Sequence, residues 1–321
     1  MALHPAILND ESMKSINEIH RLIRELDSLN TGKQASGRLV DCGPLAVEPL
    51  RRFLLEGIPR KIFQPRLWAV EALARLGARD ALLEYLFQKR EIPDPEDRFG
   101  EEAVESAAAR FLSSWRSEEM VRDLLKLSER RMLIGLIDAL AEYRRPESIP
   151  YFERALEDDF YRPAAEIAFL KFGAISCDAL SLSAVTSSGR LTLESSSSLQ
   201  RRRSAVRVLN RIGISVRHWE ILRNLLGESD EELVVGGAQL GAGFASKEDR
   251  ALMAHRLIGF LSSASWHLQE DIETALVALR DEAAPEIEEE IARRMGQPEE
   301  VRAVDARMRS LLRVKHRFAR S

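Results

Sequence analysis

The chain has 321 residues, of which 45% are hydrophobic, 31% charged and only 6% aromatic, with a net charge of −4. This near balance argues against a chain that binds nucleic acid through its bulk charge, and against an acidic tail. Cys42 and Cys177 are far apart and have no CxxC neighbour, which argues against a disulfide framework and for a reducing compartment; both are expected as small core residues.

Leu, Ala, Arg and Glu dominate and strand-type runs are scarce, so the composition favours helix. The opening MALHPAILNDESMK lacks the basic start and long apolar core of a signal peptide. The most apolar run, Met132 to Ala141, contains Asp138 and is too short to span a bilayer. A soluble, cytoplasmic protein without membrane insertion is expected. Asn9 or Asp10 caps a first helix with Met13, Ile16, Ile19, Ile23 and Leu26 on its apolar face. Residues 1–30 are therefore read as an N-terminal capping helix.

The stretch Pro65 to Leu86, PRLWAVEALARLGARDALLEYL, carries a pattern that returns elsewhere in the chain. Pro65 opens a helix, because the first helical position needs no amide hydrogen. Leu67, Val70 and Leu73/Ala74 form an apolar stripe at helical spacing. Gly77 makes a tight turn, and Leu82, Leu83, Leu86 and Phe87 form a second stripe. Ala69 precedes Gly77 by eight residues, and the same spacing joins Ala35 to Gly43, Ala165 to Gly173 and Ala205 to Gly213. Weaker copies occur at 107–115, 135–145, 237–246 and 274–284. Spacings of 34 residues (Gly43 to Gly77) and 40 (Gly173 to Gly213) indicate a helical solenoid. About eight helix pairs are expected over 31–296.

Between the copies the chain deviates. Glu91 to Glu105 holds seven acids and one arginine and reads as a solvated, helix-breaking loop, with an acidic docking site as the other reading. Ser181 to Ser198 carries eight serines and two threonines and reads as a long loop. Arg201, Arg202 and Arg203 come directly after it and begin the next copy. Gly236, Gly237, Gly241 and Gly243 mark a unit that is either closely approached or loosely held. From Arg302 to Ser321 there are seven Lys/Arg and one acid. Residues 297–321 are read as a basic capping helix, with docking of an anionic partner as the alternative.

The units GRLVDCGPLAVEPLRRFLL, WAVEALARLGARDALLEYL, AEIAFLKFGAISCDALSLS and AVRVLNRIGISVRHWEILRNLL resemble HEAT repeats. They look most like the short bacterial, phycobilisome-lyase-type variety. The resemblance implies an all-α fold, a right-handed α-α superhelix whose second helices line a concave face, with stability supplied by neighbouring repeats. It implies a binding role, as scaffold or adaptor.

Three chemistries known among similar proteins can be compared with the residues. No histidine is followed by glutamate and no HExxH occurs, so no metal, cofactor or catalytic constellation is expected. A DNA-glycosylase-like reading needs a basic cradle. The predicted second helices carry Arg51, Arg52, Arg122, Lys126, Arg154, Arg223 and Arg256, with Trp219, but acids such as Glu48, Glu84 and Glu220 lie among them. A bilin-lyase-like reading rests on the repeat subtype alone. The reading adopted is a non-enzymatic scaffold for a protein partner, with nucleic-acid binding as the alternative. Those eight residues are its candidate concave face, and Arg309, Arg313, Lys315 and Arg317 its candidate basic helix.

Overall fold

In a computed structural model, residues 10–190, 193–261, 263–297 and 305–319 are described. The fold is all-α apart from one short hairpin. The chain divides into two compact units, Met1–Tyr151 and Phe152–Ser321, with the division inside α9.

The first unit begins with α1 (Asp10–Glu25). Then come α2 (Gly32–Asp41) with α3 (Val47–Glu56), α4 (Gln64–Arg75) with α5 (Arg79–Phe87), α6 (Pro95–Leu112) with α7 (Glu118–Ser128), and α8 (Ile134–Tyr143) with α9 (Ile149–Leu156). Here α1 packs on α2, α2 on α4, α4 on α6 and α6 on α8, while α3 packs on α5. The second unit holds α10 (Arg162–Phe172) with α11 (Cys177–Val185), and α12 (Ser196–Ile212) with α13 (Val216–Leu222). Next are α14 (Glu231–Gly241) with α15 (Lys247–Phe260), α16 (Trp266–Ala278) with α17 (Arg280–Met295), and α18 (Ala306–Phe318). The same order recurs: α10 packs on α12, α12 on α14, α14 on α16, and α18 closes over α16 and α17.

The Ala-to-Gly spacing has a direct physical counterpart. Ala35, Ala69, Ala165 and Ala205 are all fully buried or nearly so, on first helices that pack against the next first helix. Gly43, Gly77, Gly173 and Gly213 all take positive φ, from 60° to 86°, at the turn into the second helix. Among the described residues no other glycine does so. An alanine lets two helices approach, and a glycine takes the left-handed conformation without strain. The glycines near 240 behave differently. A Cβ on Gly236 would strike the Val206 side chain, one on Gly237 would lie 2.9 Å from Leu225 Cβ, and one on Gly241 would strike Trp219 and Met253. Close approach accounts for these three, whereas Gly243 has no atom within 4 Å of the position a Cβ would take.

A second inter-helix device uses arginine. The last carbonyls of a helix have no intrahelical donor, and here the next pair supplies one. Arg66 on α4 donates to Leu54 O at 2.9 Å and Gly57 O at 3.2 Å, closing the end of α3. Arg162 on α10 donates to Leu156 O at 2.8 Å, closing α9. On α12, Arg201 donates to Ser183 O and Thr186 O, and Arg202 to Ala184 O, closing α11. Arg201 and Arg202 thus form a clasp, with Arg202 buried between Glu194 and Glu228, while Arg203 pairs with Asp230 and Glu232.

Two loop assignments are corrected. Residues 91–105 are mostly helix: the Asp94 side chain caps α6 by accepting from the amides of Glu96 and Asp97, and Pro95 is among its first residues. Gly100, Val104, Ala108 and Leu112 bury one face, and Glu101 and Glu105 are buried with them. The serine-rich segment is only partly loop. Helix α11 runs to Val185, Ser195 caps α12, and Gly189–Arg190 pairs antiparallel with Leu193–Glu194. Ser181, Ser183 and Ser198 are buried. The stretch Arg162–Val185 is long and apolar enough to reach across a bilayer by length and composition, but half of it is buried inside the fold.

Candidate groove and buried charge network

A concavity of the first unit lies against α1, α3 and the segment that joins α3 to α4. Helix α3 ends at Gly57, whose extended backbone (φ −69°, ψ 143°) turns the chain out of the helix. The chain reaches Pro65, near the start of α4, without further α-helix. This leaves a groove of about 960 Å³. Leu29, Ile58 and Ile62 line it and are 56%, 77% and 49% exposed, beside Pro49, Phe53 and Pro65. Its rim carries Asp27, Glu48 and Glu56 together with Arg52 and Arg60. Among the candidate binding residues, Arg52 is the one that lines this groove; its Nε donates to Glu48 at 2.8 Å.

Arg66 also lines the groove and leads inward to a buried network. Its Nε and Nη2 donate to the two Glu101 oxygens at 2.7 and 2.6 Å, a bidentate pair. Tyr85 donates its hydroxyl to Glu101 Oε1 at 2.8 Å. Arg90 donates to the same oxygen and lies 4.8 Å from the Tyr85 ring centroid. Arg90 also reaches Leu54 O at 2.5 Å, so it helps to close α3. Farther along α6, Glu105 accepts from Arg131 Nη1 at 2.9 Å, and Arg131 Nη2 donates to Gln88 O just beyond α5.

The network holds three guanidinium groups and two carboxylates. Glu101 and Glu105 are 2% and 3% exposed. Burial drives the Glu105 carboxyl up to about 7, against the opposing pull of Arg131 and with some help from the charge on Glu101. The Tyr85 hydroxyl is pushed well upward, first by burial and then by Glu101. Sequence patterning does not reveal this network, because its acids lie in a segment whose composition reads as loop.

On the far side of the network lies a second cavity of about 860 Å³, lined by Leu86, Phe87, Lys89, Arg90, Glu91, Leu127, Arg130 and Arg131.

The remaining candidate residues are dispersed over both units. Arg51 makes a bidentate pair with Glu84, 2.6 Å for each bond, and also reaches Glu48. Arg122 is exposed on α7, and Lys126 lies 3.4 Å from Asp123. In the second unit Arg154 is exposed on α9, and Arg223 lies 3.4 Å from Asp249. Arg256 donates to Glu228 O and stacks on Phe260. Trp219 is a correction: at 4% exposure, packed on Gly241, it is core and presents nothing to a partner. Trp266, by contrast, is 82% exposed.

The described part of the C-terminal segment has most of its charge compensated. Met308, Leu311, Val314 and Phe318 are buried. Arg313 and Arg317 lie 3.0 and 3.7 Å from buried Glu273, and Lys315 lies 3.2 Å from Glu288. Arg309 is exposed. Helical spacing in the sequence also places Val301 and Val304 on the apolar face of this segment; both lie outside the described residues. Both thiols are raised by burial above the usual cysteine range.

Among the described residues no three His, Cys, Asp or Glu side chains are grouped so as to hold a metal ion. No protein-family model matches the chain, and no curated protein matches it in sequence.

Proposed function

We propose that each unit is a stack of HEAT-like helix pairs, and that the protein is a non-enzymatic scaffold whose first unit docks a segment of another protein. Support for the stack comes from the shared Ala-to-Gly register and from the ladder of first helices within each unit. The observation that carries the docking reading is the groove, where Leu29, Ile58 and Ile62 stay exposed beside rim charges of both signs. Grouped exposed apolar side chains with a polar rim mark an interaction surface. Mixed rim charge suits a polypeptide with two or three apolar side chains flanked by both signs of charge. It does not suit a polyphosphate backbone, which needs an unopposed basic surface.

A photo-crosslinking residue at Ile62, with one at exposed Phe99 as control, tests the reading. A protein crosslinked from position 62 alone is then made in pure form and titrated against wild type and the Ile58→Asp/Ile62→Asp variant. At least about a tenfold loss of affinity is expected, because apolar anchors dominate such interfaces, with the thermal midpoint unchanged. Equal affinity of the variant overturns the reading. So does a crosslink from position 62 to nucleic acid or to a second copy of this chain.

A further inference from the structure

We propose that the second cavity, lined by Lys89, Arg90, Arg130 and Arg131, binds a small organic anion: a phosphate or carboxylate attached to an apolar, planar body. This site is separate from the groove and does not depend on the docking reading.

Charge is the first ground. Four cations and one acid, Glu91, line the cavity. Arg90 and Arg131 are compensated from behind by Glu101 and Glu105, but Glu101 also serves Arg66. The buried network therefore keeps one cation in excess. Lys89 and Arg130 add two more at the cavity, and neither has a carboxylate partner within 4 Å among the described residues. Glu91 offsets one of the three. A net positive, partly desolvated wall raises the local concentration of anions and strengthens their hydrogen bonds. Burial of Glu105, which favours its neutral form, adds to the excess.

Shape and lining are the second ground. Leu86, Phe87 and Leu127 form an apolar wall beside the cations, and Arg130 lies 5.9 Å from the Phe87 ring centroid. An aromatic face held next to guanidinium groups accommodates a planar group whose anionic end reaches the cations. About 860 Å³ falls within the range of small-molecule sites, roughly 300–1,000 Å³. Arg90 and Arg131 are anchored on the carbonyls of Leu54 and Gln88, so their positions are set before any ligand arrives.

Isothermal titration of the full chain with phenyl phosphate, inorganic phosphate and phenol tests the proposal. Phenyl phosphate is expected to bind at least about tenfold more tightly than either of the others, with affinity falling as salt rises. The exposed pair Lys89→Ala/Arg130→Ala is expected to weaken phenyl phosphate at least about tenfold while leaving the thermal midpoint unchanged. The groove variant Ile58→Asp/Ile62→Asp is expected to bind phenyl phosphate as wild type does. No binding of phenyl phosphate overturns the proposal, as does equal affinity for inorganic phosphate or phenol. Unchanged affinity in the Lys89→Ala/Arg130→Ala variant overturns it too.

Discussion

Glu105→Gln gives the sharpest test of the buried network. Gln keeps the shape and an oxygen that can accept from Arg131, but it does not titrate. In the folded state the Glu105 carboxyl is raised to about 7 from an ordinary 4.5. The folded protein therefore holds a proton there over a range where the unfolded chain has released it. Stability from this residue is fully present below about 4.5 and is lost as pH rises through about 7. The span from 4.5 to about 7, at about 1.36 kcal/mol for each pH unit, sets a limiting loss of about 3 kcal/mol. Between roughly pH 5 and pH 8 the linkage expression gives most of it, about 2–3 kcal/mol. Urea unfolding of wild type and Glu105→Gln across that range measures the difference directly. Wild type is expected to lose about 2–3 kcal/mol relative to the variant on going from the lower to the higher pH. A constant difference between the two proteins, or a wild type that gains on the variant as pH rises, refutes the reasoning. In the first case Arg131 would balance burial, and in the second it would outweigh it.

Two further measurements address the architecture. Gly77→Ala has no atom within 4 Å of the new Cβ but must hold φ near 71°, so its cost is backbone strain alone, about 1–2 kcal/mol. Gly77→Asn is expected to recover part of that cost, because Asn tolerates the left-handed region. Gly236→Ala instead meets Val206, and Gly236→Asn is expected to be worse than Gly236→Ala in urea titrations. Equal behaviour at the two positions contradicts the distinction between turn and close-approach glycines. Glu273→Gln removes the buried charge that faces Arg313 and Arg317, at a cost of about 1.5–3 kcal/mol. Hydrogen exchange is expected to quicken in α18 and to stay unchanged in α10 and α11; unchanged exchange in α18 argues against Glu273 as its anchor.

The helical pairs were legible because they rest on demands that a single residue type meets locally. Glycine takes positive φ without strain, and Gly43, Gly77, Gly173 and Gly213 all stand at such positions, while Arg144 takes φ 52° at the end of α8 without that signal. Alanine is needed where two helices touch, and the partner alanines are buried. The burial of Glu101 and Glu105 was not legible. Composition treats a run of acids as a solvated face, and these two carboxylates are partnered by Arg66, 35 residues away in sequence, and Arg131, 26 residues away. The serine-rich segment misled in the same way. A serine buried in a helix and one in a loop are the same letter, and only the packing partner distinguishes them.

Residue chemistry and spacing alone determined the helical character, the turns into second helices and the need for close approach at Ala35, Ala69, Ala165 and Ala205. Tertiary structure decided which charges became buried clasps and which stayed free. Arg66 and Arg202 close helix ends inside the fold, while Lys89 and Arg130 face a cavity. It also decided that Trp219 is core and Trp266 is surface. The physical reason is common to these cases. A backbone turn is chosen by sterics within a few residues, whereas the burial of a charge or an aromatic ring is chosen by neighbours that the fold brings from elsewhere in the chain.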